Sequence, residues 1–281
     1  MLQSKLAPAS PMLRPYVWAY GMTTGRVDSV PLVVPLPARP KQLLAFSLGD
    51  PYCVYQPGSD RPEAAPRVTV VGPQTHALPG LSIFGRIDHF TILFQPSGFN
   101  RLFGVPMTEL TDAAYDAYGV IGSKIPNLEH ELAETPGFAE RIRIIEGYFM
   151  RMLSALGTPD PVAIAANCLF ASNGIRSVAE MATQSGLSRR QFERRFLAQV
   201  GIHPKLYARI VRFNAAVDHK LQWRSDAWSR IANDRGFYDQ MHLVRDCRAF
   251  TGESPSRLLA RLEGLPEFHT LFATAGRSKY Q

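Results

Sequence analysis

Ser-Val-Ala-Glu-Met-Ala-Thr-Gln-Ser-Gly-Leu-Ser-Arg-Arg-Gln-Phe-Glu-Arg-Arg-Phe, residues 177–196, is the stretch on which the reading of this 281-residue chain turns. Ser177 and Glu180 stand three apart, as do Ser188 and Gln191, so each pair can form a capping box that satisfies two orphan backbone N–H groups reciprocally. Two short helices are predicted to begin there. Gly186, between them, can take the positive φ that ends one helix and turns the chain into the next. In the second helix Phe192 and Phe196 share one face with Leu187 close by, while Arg189, Arg190, Arg194 and Arg195 occupy the rest of the circumference. The pattern is a helix-turn-helix with a basic second helix.

The arrangement returns further along the chain. Ala182 and Gly186 are matched by Ala232 and Gly236, and Leu187 by Phe237. After one extra residue, Ser188 is matched by Asp239, Phe192 by Leu243 and Arg194 by Arg245. Gly201-Ile202-His203-Pro204 is answered by Gly252-Glu253-Ser254-Pro255. Each half is too short to bury a large core alone, so the pair is expected to fold around a shared connecting helix. Pro204 suits the first turn of that connector, and Leu206, Ile210, Phe213, Val217 and Leu221 follow at helical spacing.

Two such units on one long helix, with Gly236-Phe-Tyr-Asp-Gln-Met-His-Leu-Val-Arg245 in the second and Gly-x-x-Pro after each, resemble the DNA-binding domain of AraC-type (AraC/XylS) transcription regulators. Residues 175–262 carry the resemblance. Cys247 departs from it, standing where the family usually has an aromatic residue, and Leu258-Leu259 falls where a Tyr is common. The resemblance implies sequence-specific regulation of transcription on double-stranded DNA, with the transcription machinery as a further partner. Position by position, it assigns Arg189, Arg190, Glu193 and Arg194 of the first unit, and Gln240, Met241, His242 and Arg245 of the second, to the major groove. Arg can fork onto guanine, Glu can accept from cytosine, Gln suits adenine and Met a thymine methyl. Arg195 and Arg248 are assigned to phosphate contacts or structural salt bridges. A rigid connector would let the two recognition helices enter successive major grooves about 34 Å apart.

The formal net charge of +7 lies where this reading needs it. Residues 175–262 hold 16 Lys and Arg against 8 Asp and Glu, leaving 15 against 16 elsewhere. A concentrated basic field attracts the phosphate backbone and releases its counterions. Met1-Leu2-Gln3-Ser4-Lys5 leads into Pro8, Pro11 and Pro15 rather than an apolar run, so no signal peptide is expected. No segment approaches the roughly 18 apolar residues of a membrane span, and the expectation is a cytoplasmic protein without a membrane partner. Cys53, Cys168 and Cys247 are far apart and odd in number, which suggests neither a disulfide framework nor a metal cluster.

Of the 22 prolines, 16 fall at or before Pro126 and divide the front of the chain into short extended pieces. Leu43-Leu-Ala-Phe46, Val68-Thr-Val-Val71, Leu81-Ser-Ile-Phe84 and Phe90-Thr-Ile-Leu-Phe94 read as strands of a β-sandwich or small barrel. Pro35-Leu-Pro37, Leu48-Gly-Asp-Pro51, Val71-Gly-Pro-Gln-Thr75 and Phe94-Gln-Pro-Ser-Gly98 carry a resemblance to the cupin-like sensor domains of many AraC-type regulators. That resemblance implies a small-molecule effector. Phe46, Phe84, Phe90 and Phe94 could line its site, but residues of this kind are more often plain core, which is the expected reading; ligand-binding residues are unassigned. Only His76 and His89 precede residue 126 and no His-x-His occurs, so no metal or other cofactor is expected. Gly-x-Ser-x-Gly and Gly-rich phosphate signatures are absent, and no enzymatic role or catalytic residue is assigned.

Between the halves, Phe138, Ile142, Ile145, Phe149 and Met152 make one apolar helical stripe, with Arg141, Arg143, Glu146 and Arg151 around it. Asp160-Pro161 should cap a further helix running through Leu169-Phe170 to Asn173-Gly174. In AraC-type regulators a helical segment here often dimerises, which makes a homodimer a candidate assembly and packing within the chain the alternative. The expected α+β two-domain chain thus runs from a β-rich, cupin-like barrel or sandwich at 1–125 through a helical linker at 126–174. An all-α domain with two helix-turn-helix units follows at 175–263, then a tail at 264–281. The alternative function is a DNA-binding protein whose front domain mediates only protein contacts and binds no effector.

Overall fold

Two prolines of the front half, Pro31 and Pro35, interrupt strand pairing without ending their strand. β1 (Gln3–Pro8) leads into β2 (Val17–Leu36), which runs antiparallel to β7 (Leu78–Phe94), with register shifts between Val27 and Leu32 and between Val34 and Leu36. Pro31 and Pro35 fall in those two irregularities, where a missing N–H removes no ladder bond. The computed structural model describes residues 2–55, 62–122, 125, 127–158 and 160–263, so the tail expected at 264–281 lies outside the described residues. β3 (Leu43–Ser47), β6 (Val68–Val71) and β8 (Ala114–Asp116) complete one antiparallel sheet of order β1-β2-β7-β3-β6-β8. Off this path, β4 (Cys53–Tyr55) pairs with β7 and with β5 (Pro62–Ala64). The runs at 81–84 and 90–94, expected as separate strands, are parts of the single strand β7.

Strand alternation sorts the sheet residues onto two faces. Tyr20, Met22, Phe46, Val70, Phe90 and Phe94 enter one core, which α1 (Gly98–Phe103), α2 (Ala117–Ile121), α3 (Leu128–Glu134) and α4 (Phe138–Leu153) help to close. Phe94 meets Phe99, Phe103 and Phe149 edge-on with ring centroids 5.3, 6.2 and 6.1 Å away. Ile145 and Phe149 are buried here, and Phe138, Ile142 and Met152 pack against them. The stripe for which dimerisation was expected is therefore spent on the sheet of its own chain. Arg141, expected on the polar side of α4, is also inside, 1% exposed. Its guanidinium forks onto the Asp88 carboxylate of β7 at 2.5 and 3.0 Å, and its Nε donates to the carbonyls of Leu132 and Thr135 at 3.0 and 2.6 Å. Those bonds are what allow a charge to stay buried.

The linker region divides between two cores. α5 (Pro161–Ala171) contributes Val162, Leu169 and Phe170 to a second cluster with Phe192, Phe196 and Phe213. The Asp160 side chain caps it by accepting from the Val162 N–H at 2.8 Å. Beyond lie α6 (Val178–Gln184), α7 (Arg189–Val200), α8 (Pro204–Gln222), α9 (Trp228–Asp234), α10 (Gln240–Thr251) and α11 (Pro255–Glu263). α8 is the anticipated connector, with Pro204 in its first turn and Ile210, Phe213 and Val217 buried. Among the described residues, no helix is long and apolar enough to cross a membrane and no group of His, Cys, Asp and Glu could hold a metal ion.

Replacing Arg141 with Ala leaves the largely buried Asp88 carboxylate without its main partner and is expected to cost about 3 kcal/mol of stability. Chemical denaturation measures this directly. A loss below about 1 kcal/mol would show that Arg141 is dispensable to the packing of α4.

Candidate nucleic-acid interface and cavity

The turn between α6 and α7 is fixed at two points. Gly186 takes φ +65°, where a side chain would add strain, and the Leu187 N–H donates back to the Ala182 carbonyl at 3.1 Å. Ser188 then caps α7: Gln191 N–H donates to Ser188 Oγ at 3.3 Å, and Ser188 N–H to Gln191 Oε1 at 3.0 Å. The box expected at Ser177 and Glu180 does not form. Ser177 holds the extended N-cap backbone without a side-chain cap bond, and α6 is held instead by its buried Met181 and Ala182.

Phe192 and Phe196 are buried with ring centroids 5.7 Å apart, and Phe196 lies edge-on to Tyr207 of α8 at 5.6 Å. Anchoring that face inward leaves Arg189, Arg190 and Arg194 exposed on α7. Arg189 Nε pairs with Glu193 Oε1 at 2.8 Å, one turn on. Such an exposed pair contributes little and yields readily to another partner. Arg195 turns the other way, pairing with Asp160 at 2.8 Å, and Gln199 donates to the same carboxylate at 2.9 Å. Burial works against ionisation of Asp160, yet the Val162 N–H, Gln199 and Arg195 together hold its carboxyl below the usual carboxylate range.

The second unit repeats this plan with one insertion. Asp239 caps α10 by accepting the His242 N–H at 2.6 Å. Ile231, Ala232, Phe237 and Leu243 form a small core that shares Ala216 with α8. Arg209 of α8 pairs with Asp246 at 2.6 Å, and Arg212 donates to the Gly236 carbonyl at 3.2 Å while lying over the Phe237 ring. Cys247, at the position where an aromatic is usual, is buried and so fits the core as a small apolar group. Gln240, Met241 and Arg245 are exposed. His242 is not presented with them: it is half-buried, its ring 5.4 Å from that of Phe237 and its Nε2 3.8 Å from Asp246. The inserted residue is Tyr238, 92% exposed at the start of α10. Aligning the two units reveals the insertion, but nothing in the sequence says that its ring points outward.

Both units are gripped by the sheet domain. Thr111 Oγ1 donates to the Gly201 carbonyl at 2.8 Å, and a Cβ on Gly201, whose φ is +85°, would lie 2.5 Å from that hydroxyl. Ala38, just beyond β2, inserts into the helical core. Its N–H donates to the Phe250 carbonyl of α10 at 2.9 Å, and its carbonyl accepts from Asn214 Nδ2 of α8 at 3.1 Å.

The next residue, Arg39, lines a cavity of about 520 Å³ on the face of the sheet opposite the first core. Leu43, Val71, Leu81 and Leu93 give it apolar walls, with Ser47 and His89 among its polar groups. Burial pushes His89 down to about 4, against the pull of Asp88, so the ring is neutral at pH 7. None of the four phenylalanines considered for this role lines the cavity. Phe46, Phe90 and Phe94 occupy the alternate, core-facing positions, and Phe84 is exposed.

Residues 181–261 match the family described as a helix-turn-helix domain, and residues 5–116 match a domain of unknown function (DUF6597). No curated protein matches the chain. Similar solved structures include ToxT from Vibrio cholerae O395, 11% identical with a TM-score of 0.45 over 88% of this chain and 99% of that one. ToxT from Vibrio cholerae at 1.65 Å resolution is 12% identical, with 0.46 over 94% and 99%. Unsaturated fatty acid bound wild-type ToxT from Vibrio cholerae strain SCE256 is 12% identical, with 0.44 over 88% and 97%. The chain thus carries a helix-turn-helix domain, the kind of domain with which DNA-binding transcription regulators hold DNA, behind an N-terminal domain of unknown function.

Proposed function

We propose that the chain reads two successive major grooves with α7 and α10, and that a small molecule in the sheet-domain cavity alters how it does so. The connector supports the first half of this reading. Its 19 residues span about 28 Å at 1.5 Å of rise each, comparable with the roughly 34 Å between successive major grooves. On α7, Arg190 and Arg194 fork onto guanine edges, and Glu193 reaches cytosine once Arg189 releases it to a phosphate. On α10, Arg245 plays the guanine role, Gln240 meets adenine and Met241 a thymine methyl. His242 acts as a support for α10 rather than a reader.

One observation carries the second half: Ala38 is bonded into the second helix-turn-helix unit, and the adjoining Arg39 lines the cavity. A ligand shifts an equilibrium only through contacts that differ between two states. A bound molecule that moves Arg39 changes the Ala38 contacts with α8 and α10, and so the setting of α10 against α7. Regulation of transcription then follows from which spacing of DNA boxes the two helices can span at once.

Arg194→Ala and Arg245→Ala are each expected to cost about 1–3 kcal/mol at a single base position and to relax specificity there. Binding to a randomised duplex library reads this out. Equal weakening on every sequence would make both residues phosphate anchors. Asn214 is buried and cannot touch DNA, yet Asn214→Ala is expected to change affinity for the selected duplex about fivefold or more, the scale of a coupling energy between sites. Unchanged affinity in a folded variant would disconnect Ala38 from DNA reading.

A further inference from the structure

Among the described residues, Arg39 is a cation without a counter-ion. It is 7% exposed, and its Nε is buried with no hydrogen-bond partner. Among the described residues, no carboxylate lining the cavity pairs with it. Asp88 is taken by Arg141, Asp112 accepts from the N–H and the hydroxyl of Thr75, Asp50 accepts the Arg86 N–H, and Glu63 is exposed on β5. Burial pushes the guanidinium down to about 10, only partly opposed by Tyr52, but that value leaves it charged at pH 7. An isolated buried charge is costly unless something pairs with it.

Gln74 sits beside it. Each residue's backbone N–H donates to the other's carbonyl, at 2.9 and 2.8 Å, and Gln74 Oε1 is buried without a partner. The cavity thus presents an unmet cation facing the apolar side chains of Leu43, Val71, Leu81 and Leu93, while the unmet Gln74 oxygen is an acceptor that only a donor on the ligand or a water would satisfy. Its 520 Å³ lies within the roughly 300–1,000 Å³ of small-molecule pockets.

We propose that this cavity binds a compact carboxylate with an apolar body, its carboxylate forked against Arg39 beside Gln74 and its body against Leu43, Val71, Leu81 and Leu93. This deepens the effector reading, on which it rests. A planar guanidinium presents parallel N–H donors that match the two oxygens of a carboxylate. One cation without a counter-ion also fits a monoanion better than a dianion.

The full chain is titrated calorimetrically with octanoate and 4-phenylbutyrate, each beside its primary amide, and with octyl phosphate, alone and with the selected duplex present. Acids are expected to bind at least tenfold more tightly than their amides. Arg39→Gln is expected to erase that preference, Arg39→Lys to keep part of it, and Leu81→Trp, which fills the cavity, to abolish binding of both series. Equal binding of acid and amide, a preference that survives Arg39→Gln, or no binding of any probe overturns the proposal. Tighter binding of octyl phosphate than of octanoate overturns the carboxylate assignment in favour of a phosphate monoester. Acids that bind by Arg39 without changing DNA affinity uphold the site and sink the effector reading. Amides that change DNA affinity where acids do not have the reverse meaning.

Discussion

Helix α8 must satisfy three neighbours at once. Tyr207, Ile210 and Phe213 fill the core that α5, α6 and α7 share, Ala216 closes the small core of α9 and α10, and Asn214 reaches across to Ala38 of the sheet domain. Arg209 and Arg212 add polar ties to Asp246 and Gly236. Because interiors are close-packed and tolerate little change of volume, a helix so engaged cannot slide against one neighbour without disturbing the others. The separation of α7 from α10, on which the proposed reading of two grooves rests, is set by that constraint rather than by either unit alone.

The sheet domain uses its two faces for different ends. One face is packed with aromatic rings against α1 and α4, and the Arg141–Asp88 pair pins α4 to β7. The other is left hollow, with small or polar residues such as Gly21, Ala45, Ser47 and Thr91 where larger side chains would fill it. A hollow in an otherwise close-packed protein forgoes dispersion contacts, so a ligand that fits it is stabilising. The same β2 strand that forms one wall ends just before Ala38. Cavity and helical core are therefore joined through a few residues of continuous backbone, not through a long chain of side chains.

The helical half was legible because its signals are local. Gly186 and Gly236 mark turns, Ser188 and Asp239 mark caps, Pro204 marks the start of the connector, and the repeat makes each reading support the other. The sheet half was less so. Pro31 and Pro35 argue against a strand when read alone, and only pairing shows that they occupy bulges in β2. The helical stripe of residues 138–152 was read correctly as a stripe, but periodicity says nothing about which surface covers it. Arg141 looked like a solvated charge because its partner, Asp88, is distant in sequence. The cavity residues escaped notice for a related reason: strand parity sends the conspicuous phenylalanines to the core and the unremarkable Ala45, Ser47 and Thr91 to the hollow. His242 looked outward because which positions near the cap face outward depends on the one-residue insertion of Tyr238.

The central claim is that one chain places two recognition helices, at a separation fixed by α8, in neighbouring major grooves of the same duplex. Hydroxyl-radical footprinting of the full chain on a duplex selected from random sequence measures this most directly. Two protected patches centred about 10–10.5 base pairs apart on one face of the helix are the result the account predicts. A single patch, or two on opposite faces, would contradict it.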